Sequence, residues 1–219
     1  AAGITLAAHS GGRAEPGAIE RPNILFILAD DMGWGDLSCY GRPDYKTLNL
    51  DRLAQQGMRF TNAYSAAPVC TPTRVGLLTG RFPARIPVGL EEPIYGRKEL
   101  GDRAKTIGIP HEHPTLSSLI KGAGYETALI GKWHLGYLPD FGPMRYGFDE
   151  FFGIMSGAGD YFSHKDPSGA PDLFDGEVPV ERVGYTTDLL TERAVEFVRR
   201  PRKKPFYLSL HYTSPHWPW

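Results

Sequence analysis

A thiol, a proline and an arginine stand in order in Cys70-Thr71-Pro72-Thr73-Arg74, with Thr79-Gly80 following. If the segment after Cys70 is helical, Arg74 lies near a helix N-terminus, where anions are favoured. A thiol there is expected to have a lowered pKa and to act as a thiolate; a cysteine without such neighbours is an inert packing residue. Asp30 and Asp31 follow the apolar run Asn23 to Ala29 directly. Adjacent carboxylates repel unless a cation joins them, and hard oxygen donors suit calcium or magnesium. The plain alternative is a solvated Asp-Asp turn. Lys132 and His134 follow a strand candidate, Tyr125 to Ile130. Two residues apart, they face one side of an extended backbone, where they can bind an oxyanion and neutralise charge developing in a transition state. The alternative is an exposed lysine beside a packed histidine. His216, after the run Phe206 to Leu210, can serve as a general acid for a leaving alcohol, while His211 packs or bonds locally. His164 sits with Tyr161 and Phe162 in a loop that can line a substrate pocket or lie at the surface. His111 and His113 flank Glu112 between Pro110 and Pro114 and read as loop.

These blocks resemble, in order, the signatures of the type I sulfatases. C-x-P-x-R-x-x-x-x-T-G at Cys70 to Gly80 is similar to the family's first signature. G-Y-x-T-x-x-x-G-K-W-H-L-G at Gly124 to Gly136 is similar to its second. The start Asn23 to Asp36, N-I-L-F-I-L-A-D-D-M-G-W-G-D, resembles the sulfatase opening. The match at Ser214-Pro215-His216 rests on fewer residues. The resemblance implies an alkaline-phosphatase-like fold and hydrolysis of sulfate esters, arylsulfatase-like. It implies that Cys70 is oxidised by a formylglycine-generating enzyme to formylglycine, whose hydrate is the nucleophile. Asp30, Asp31 and the modified Cys70 would bind a divalent metal, calcium or alternatively magnesium. Arg74 would hold the hydrate and the sulfate oxygens, Lys132 the sulfate, His134 the hydrate, and His216 the sulfate and leaving group. Another enzyme reading is a phosphomonoester or phosphonate hydrolase on the same fold. A third is a non-catalytic anion-binding or assembly protein.

The elements that must position these residues alternate. Asn23 to Ala29, without polar alternation, suits a strand buried on both faces. Leu48 to Gln56 reads as a short helix ended by Gly57, and Met58 to Tyr64 as a second strand. Val75 to Leu78 reads as the start of a helix whose N-terminal end faces Cys70. Thr115 to Lys121 is a helix, Tyr125 to Ile130 a strand, and Thr187 to Arg199 an amphipathic helix with Leu190, Ala194, Phe197 and Val198 on one face. Phe206 to Leu210 is the last strand. Residues 81–114 and 136–180, rich in proline and glycine, read as excursions outside the core. The sum is an α/β fold with a mostly parallel sheet flanked by helices.

With 219 residues, 41% hydrophobic and 22% charged, the chain suits one large domain. A net charge of −1 gives no broad basic face for nucleic acid, so an anion site must be local. The apolar runs are too short for a transmembrane segment. Cys39 and Cys70 make no disulfide framework, and Cys39 reads as a free thiol. Residues 1–20 read as a disordered leader or a signal-peptide remnant, which points to a periplasmic or secreted protein with a cytoplasmic one as the alternative. Residues 21–219 read as the N-terminal part of a sulfatase catalytic domain, incomplete because the family's remaining metal ligands and second sulfate lysine have no counterpart. Uncovered edges would then favour weak metal binding and a homo-oligomer.

Overall fold

Strands of two to ten residues, the longer ones centred on apolar stretches, assemble in a computed structural model of the chain into a single seven-stranded sheet among the described residues. The structure describes residues 4–8, 21–94 and 101–218. The strands are β1 (Ile4–Ala8), β2 (Asn23–Asp30), β3 (Glu126–Gly131), β4 (Glu150–Ile154), β5 (Leu173–Asp175), β6 (Val178–Pro179) and β7 (Phe206–Pro215). The helices are α1 (Leu48–Gln56), α2 (Cys70–Thr79), α3 (Leu116–Gly122) and α4 (Thr186–Arg199). Spatial order is β1-β2-β7-β3-β4-β5-β6. The central strands β2, β7, β3 and β4 run parallel, and the flanking strands are antiparallel.

Period-two alternation divides the core between the two faces of this sheet. On one face Leu129 and Tyr207 pack with Val75 and Leu78 of α2, and Leu116 and Ile120 of α3 lie against that layer. On the other, Ala128, Ile130, Leu208 and Leu210 pack on Leu190, Ala194 and Phe197 of α4. The spacing of those three helical residues is the one expected of an amphipathic helix. Thr115 caps α3, accepting from the Ser118 amide at 3.2 Å while the Ser118 hydroxyl accepts from the Thr115 amide at 2.9 Å. Pro201 follows α4, and the preceding Arg200 is extended, as a residue before proline prefers.

Several elements depart from the sequence expectation. Within the segment read as a leader, Ile4–Ala8 pairs antiparallel with β2; the rest of residues 1–20 lies outside the described residues. β2 touches both core layers, Ile24 and Phe26 on one face and Leu25 and Ile27 on the other, yet most of it is only half-buried. Met58 to Tyr64 forms turns, not a strand, and Met58 and Tyr64 are exposed. Its alternation finds no neighbouring strand to pair with. α2 already starts at Cys70, and α1 buries none of its residues. The stretch read as an excursion puts Ile86, Ala104, Ile107 and Ile109 into the interior. Residues 136–180 contribute three strands, β4 to β6. An apolar groove of about 320 Å³ runs beside α4, lined by Leu25, Val195, Val198, Leu208 and Leu210 among others.

The sheet is drawn tight at the carboxyl end of β3. Gly131 has φ +118°, and a Cβ there would lie 1.8 Å from the His211 carbonyl oxygen. Gly131→Ala should therefore cost at least about 1–3 kcal/mol from backbone strain alone. Gly122→Ala, at a helix end with no neighbouring atom within 4 Å, should be neutral or stabilise by up to about 1 kcal/mol. Urea unfolding of both variants checks this; equal midpoints would refute the close-approach reading.

Candidate active site

Every parallel strand ends at the same crevice, and each delivers a polar side chain there. Asp30 closes β2, Lys132 and His134 follow β3, Ser156 follows β4, and His216 follows β7. The last strand in sequence, β7, lies between β2 and β3, so strand order reverses here. Crevices at such points, outside the carboxyl ends of strands, are where open α/β sheets bind ligands. α2 aims its N-terminus at the same place, with Cys70 as its first residue and no side chain capping it.

Asp30 is the common partner. Its Oδ2 accepts from Lys132 Nζ at 2.5 Å, and its Oδ1 lies 3.4 Å from Arg74 Nη2 and 3.6 Å from Cys70 Sγ. Lys132 Nζ is also 3.3 Å from Cys70 Sγ. Lys132 is 0% exposed, Arg74 2% and Asp30 6%. Two buried cations thus face one buried carboxylate, 2 − 1 = +1. Arg74 is fixed from behind: Nη1 donates to the Lys132 carbonyl at 2.8 Å and meets His211 Nδ1 at 3.0 Å. His211 Nε2 in turn meets Ser209 Oγ at 2.8 Å. Arg74 Nη2, though ion-paired, has no aligned hydrogen-bond partner, and neither ring nitrogen of buried His134 has one. Buried polar atoms are nearly always satisfied, so these point to a ligand.

Burial sets the titration of the site. It works to raise the Asp30 pKa, but Arg74 and Lys132 outweigh it and the carboxylate titrates below its ordinary range. Burial pushes the Cys70 thiol up, against the pull of Lys132. That corrects the expectation of a thiolate lowered by the helix terminus: the desolvation cost of the charged form wins. Burial, then the Lys132 and Arg74 cations, hold His134 well below the usual histidine value. Burial and Arg74 bring His211 down to about 3. Both imidazoles are neutral near pH 7.

Of the residues picked out by sequence, Asp30, Cys70, Arg74, Lys132, His134 and His216 come together. Lys132 and His134 do so without the extended backbone expected of them. The Lys132 amide bonds to β7 at His211, the next two amides bond to Ile154 and Met155 beyond β4, and His134 has φ 53°. Asp31 is half-exposed, at φ 61°, with one carboxylate oxygen 3.6 Å from His216 Nε2. His164 does not join them. It is buried, its Nε2 meets the Gly184 carbonyl at 3.1 Å, and it lines neither cavity at the site. Tyr161 stacks on Tyr185, and its hydroxyl donates to the His216 carbonyl at 2.7 Å. Cys39 and Cys70 are both free.

Two cavities meet at Cys70. One, about 440 Å³, is lined by Asp30, Asp31, Arg74 and the segment 65–69. The other, about 330 Å³, is lined by Glu92, Ile94, His134, Tyr137, Ser156, Gly157, Asp166, His216 and Trp217 among others. The carboxylates of Asp30 and Asp31 have the donor chemistry of a hard divalent cation, and an ionised, buried Asp30 fits one. Calcium takes about six to eight oxygens, so these two supply part of a shell.

Fold and site define an α/β protein with a cation-lined centre at the carboxyl ends of its parallel strands. Residues 22–219 match the Sulfatase family, and the chain belongs to that family. It is 38% identical over 219 residues to human N-acetylgalactosamine-6-sulfatase, covering 94% of this chain and 42% of the relative. Mouse steryl-sulfatase is 46% identical over 140 residues, 61% of this chain and 22% of the relative. The solved structure of Ps i-CgsB in complex with k-i-k-neocarrahexaose superposes with a TM-score of 0.80 at 34% identity, covering 91% of this chain and 46% of that one. The chain thus spans less than half the length of these relatives. Among the described residues no helix is long and apolar enough to cross a membrane.

Some site residues escaped sequence reading. Glu92 reaches the crevice from a loop far from every motif. Gly157 makes room for the His134 ring, since a Cβ there would lie 2.4 Å from it. Asp172 supports this wall from beneath: its carboxylate accepts from the Ser156 hydroxyl at 2.5 Å, the Ser156 amide at 3.1 Å and the Met155 amide at 3.2 Å. Burial nevertheless raises its pKa from 3.8 to about 7, against those bonds. A raised folded-state pKa means that the folded form binds more protons than the unfolded one between the two values. Stability from Asp172 is therefore present below pH ~4 and lost as pH rises through about 7. Asp172→Asn should remove that decline, leaving stability less dependent on pH between 4 and 7 than in the parent. Urea titrations at stepped pH measure it, and parallel slopes would refute it.

Proposed function

We propose that the chain is part of the catalytic domain of a sulfuric ester hydrolase that acts on a sulfated carbohydrate or aryl ester, with Cys70 as the precursor of its nucleophile. The carrying observation is the pair of buried cations, Lys132 and Arg74, set against one carboxylate beside Cys70. That surplus positive charge and the unpartnered Arg74 Nη2 suit a tetrahedral oxyanion. The carbohydrate side rests on the relatives, one named for N-acetylgalactosamine 6-sulfate and one holding a neocarrahexaose.

In this reading a formylglycine-generating enzyme oxidises Cys70, and the hydrated aldehyde supplies one hydroxyl to attack sulfur and a second whose deprotonation expels sulfate. Lys132 and Arg74 orient the sulfate and stabilise the charge that its oxygens gain. His216, at the mouth of the crevice, protonates the leaving alcohol. His134, neutral and with both nitrogens unpartnered, accepts the proton of the second hydroxyl. Asp30 and Asp31 would hold a divalent metal, calcium or magnesium, which would add positive charge at the sulfate. Asp30 then has to share its carboxylate between that ion and Lys132.

The test uses the chain from a host that carries out the modification, with its intact mass measured. A mass showing loss of one sulfur and two hydrogens and gain of one oxygen at Cys70, together with aryl sulfate turnover exceeding aryl phosphate turnover, is the expected result. Cys70→Ala should abolish turnover. Lys132→Ala and His216→Ala should each lower kcat by roughly 10²–10³. A fully unmodified Cys70 in an active preparation would overturn the mechanism; faster aryl phosphate turnover would favour a phosphoester hydrolase.

A further inference from the structure

A second group of ligand-forming atoms gathers at Cys70. A Glu92 carboxylate oxygen, a His134 ring nitrogen and Cys70 Sγ all lie within 4.8 Å of one another. They line the same 330 Å³ cavity, which gives an ion room to enter. His134 is 3% exposed, and both its nitrogens lack a partner. One sulfur, one imidazole and one carboxylate, with an open cavity in front, are the donors that zinc uses where it keeps a free position.

We propose that the protein with Cys70 still a thiol binds zinc, or a similarly thiophilic divalent ion, through Cys70, His134 and Glu92. Ligands on one tetrahedral zinc lie roughly 3–4 Å apart, so the trio needs to close by only about 1 Å. Zinc displaces the thiol proton to solvent and takes the thiolate, with a neutral imidazole and a carboxylate completing the trio. Lys132 Nζ, 3.3 Å from the sulfur, repels the ion, but it also steadies the thiolate that the ion needs. The overlapping group Asp30, Cys70 and His216 is the poorer zinc site. Its carboxylate is already held by Lys132 and Arg74, whereas the His134 nitrogens are uncommitted. Zinc here would also occupy the sulfur on which the proposed oxidation must act, so it would block maturation. That consequence rests on the proposed function, whereas the site itself does not.

The experiment uses the full chain made without the modification, the thiol confirmed by mass, with cobalt(II) as the optical probe and zinc as competitor. Expected is a thiolate-to-cobalt charge-transfer band displaced by one equivalent of zinc. Cys39→Ser should leave it intact, and Cys70→Ser should remove it. Glu92→Gln, at a half-buried loop position where folding is not at stake, should weaken zinc binding by at least the roughly 10–100-fold that even outer-shell changes cost. His134→Ala should do the same, and His216→Ala should leave binding within about twofold. Absence of the band, its loss in Cys39→Ser, indifference to Glu92→Gln, or its loss in His216→Ala in place of Glu92→Gln would each overturn the proposal. No outcome depends on turnover, so failure here and failure of the hydrolase reading are separate results.

Discussion

The carboxylate of Asp30 is the point on which the site is hung. It meets Lys132 at 2.5 Å, Arg74 at 3.4 Å and the sulfur of Cys70 at 3.6 Å, and all four side chains are wholly or largely withdrawn from water. Such clusters are poor contributors to stability. Each buried ion loses several kcal/mol of hydration, which mutual attraction returns only with good geometry. Here the geometry is not even balanced, since one cation is left over. A chain selected for stability alone would replace the group with packed apolar residues. Its presence, with Arg74 Nη2 and the His134 nitrogens unpartnered, is the ground on which an anion site is proposed here.

Holding that cluster is a long-range task. Asp30, Cys70 and Lys132 come from β2, α2 and the end of β3, and the strand that joins them is the last in the sequence. β7 pairs with β2 on one side and β3 on the other. Through His211 it also reaches Arg74, while the Lys132 amide bonds to its backbone. The glycine at 131 lets β3 and β7 approach closely enough for this. The spacing of Lys132 from Asp30 therefore depends on the register of β7, and no single motif defines the site alone.

This explains what could be read from the sequence. β2 has an uninterrupted apolar run, β3 and β7 have mostly apolar stretches of strand length, and α4 has clean helical spacing, so period and length identify them. Asp30, Lys132, His134 and His216 stand at or after the ends of those strands, and Cys70 and Arg74 lie at the start of α2, which is why six of the predicted site residues converge. β4 to β6 were illegible because their glycines and aspartates look like loop; they become strands only by pairing with β3 and with one another. Met58 to Tyr64 failed the opposite way, with strand-like residues and no partner. Burial is equally non-local. His164 reads as a pocket residue and is packed against Gly184, and the Cys70 thiol is raised although its helix terminus favours the thiolate. Glu92 and Asp172 carry no pattern at all, since their roles come from loops folded against the crevice.

The two metal readings are linked by the oxidation state of a single atom. As a thiol, Cys70 gives the crevice a soft anionic donor, and a sulfur-and-imidazole set favours zinc over calcium or magnesium. Oxidation to formylglycine replaces that sulfur with oxygen. The Glu92–His134 side then loses its soft anchor, while the Asp30–Asp31 side gains a hard one. The same backbone would prefer different ions before and after maturation, with no change of fold. The surplus buried cation works in both forms. On the proposed readings Lys132 would steady a thiolate in the first and an oxyanion in the second, so the charge asymmetry around Asp30 would be useful whichever atom residue 70 presents.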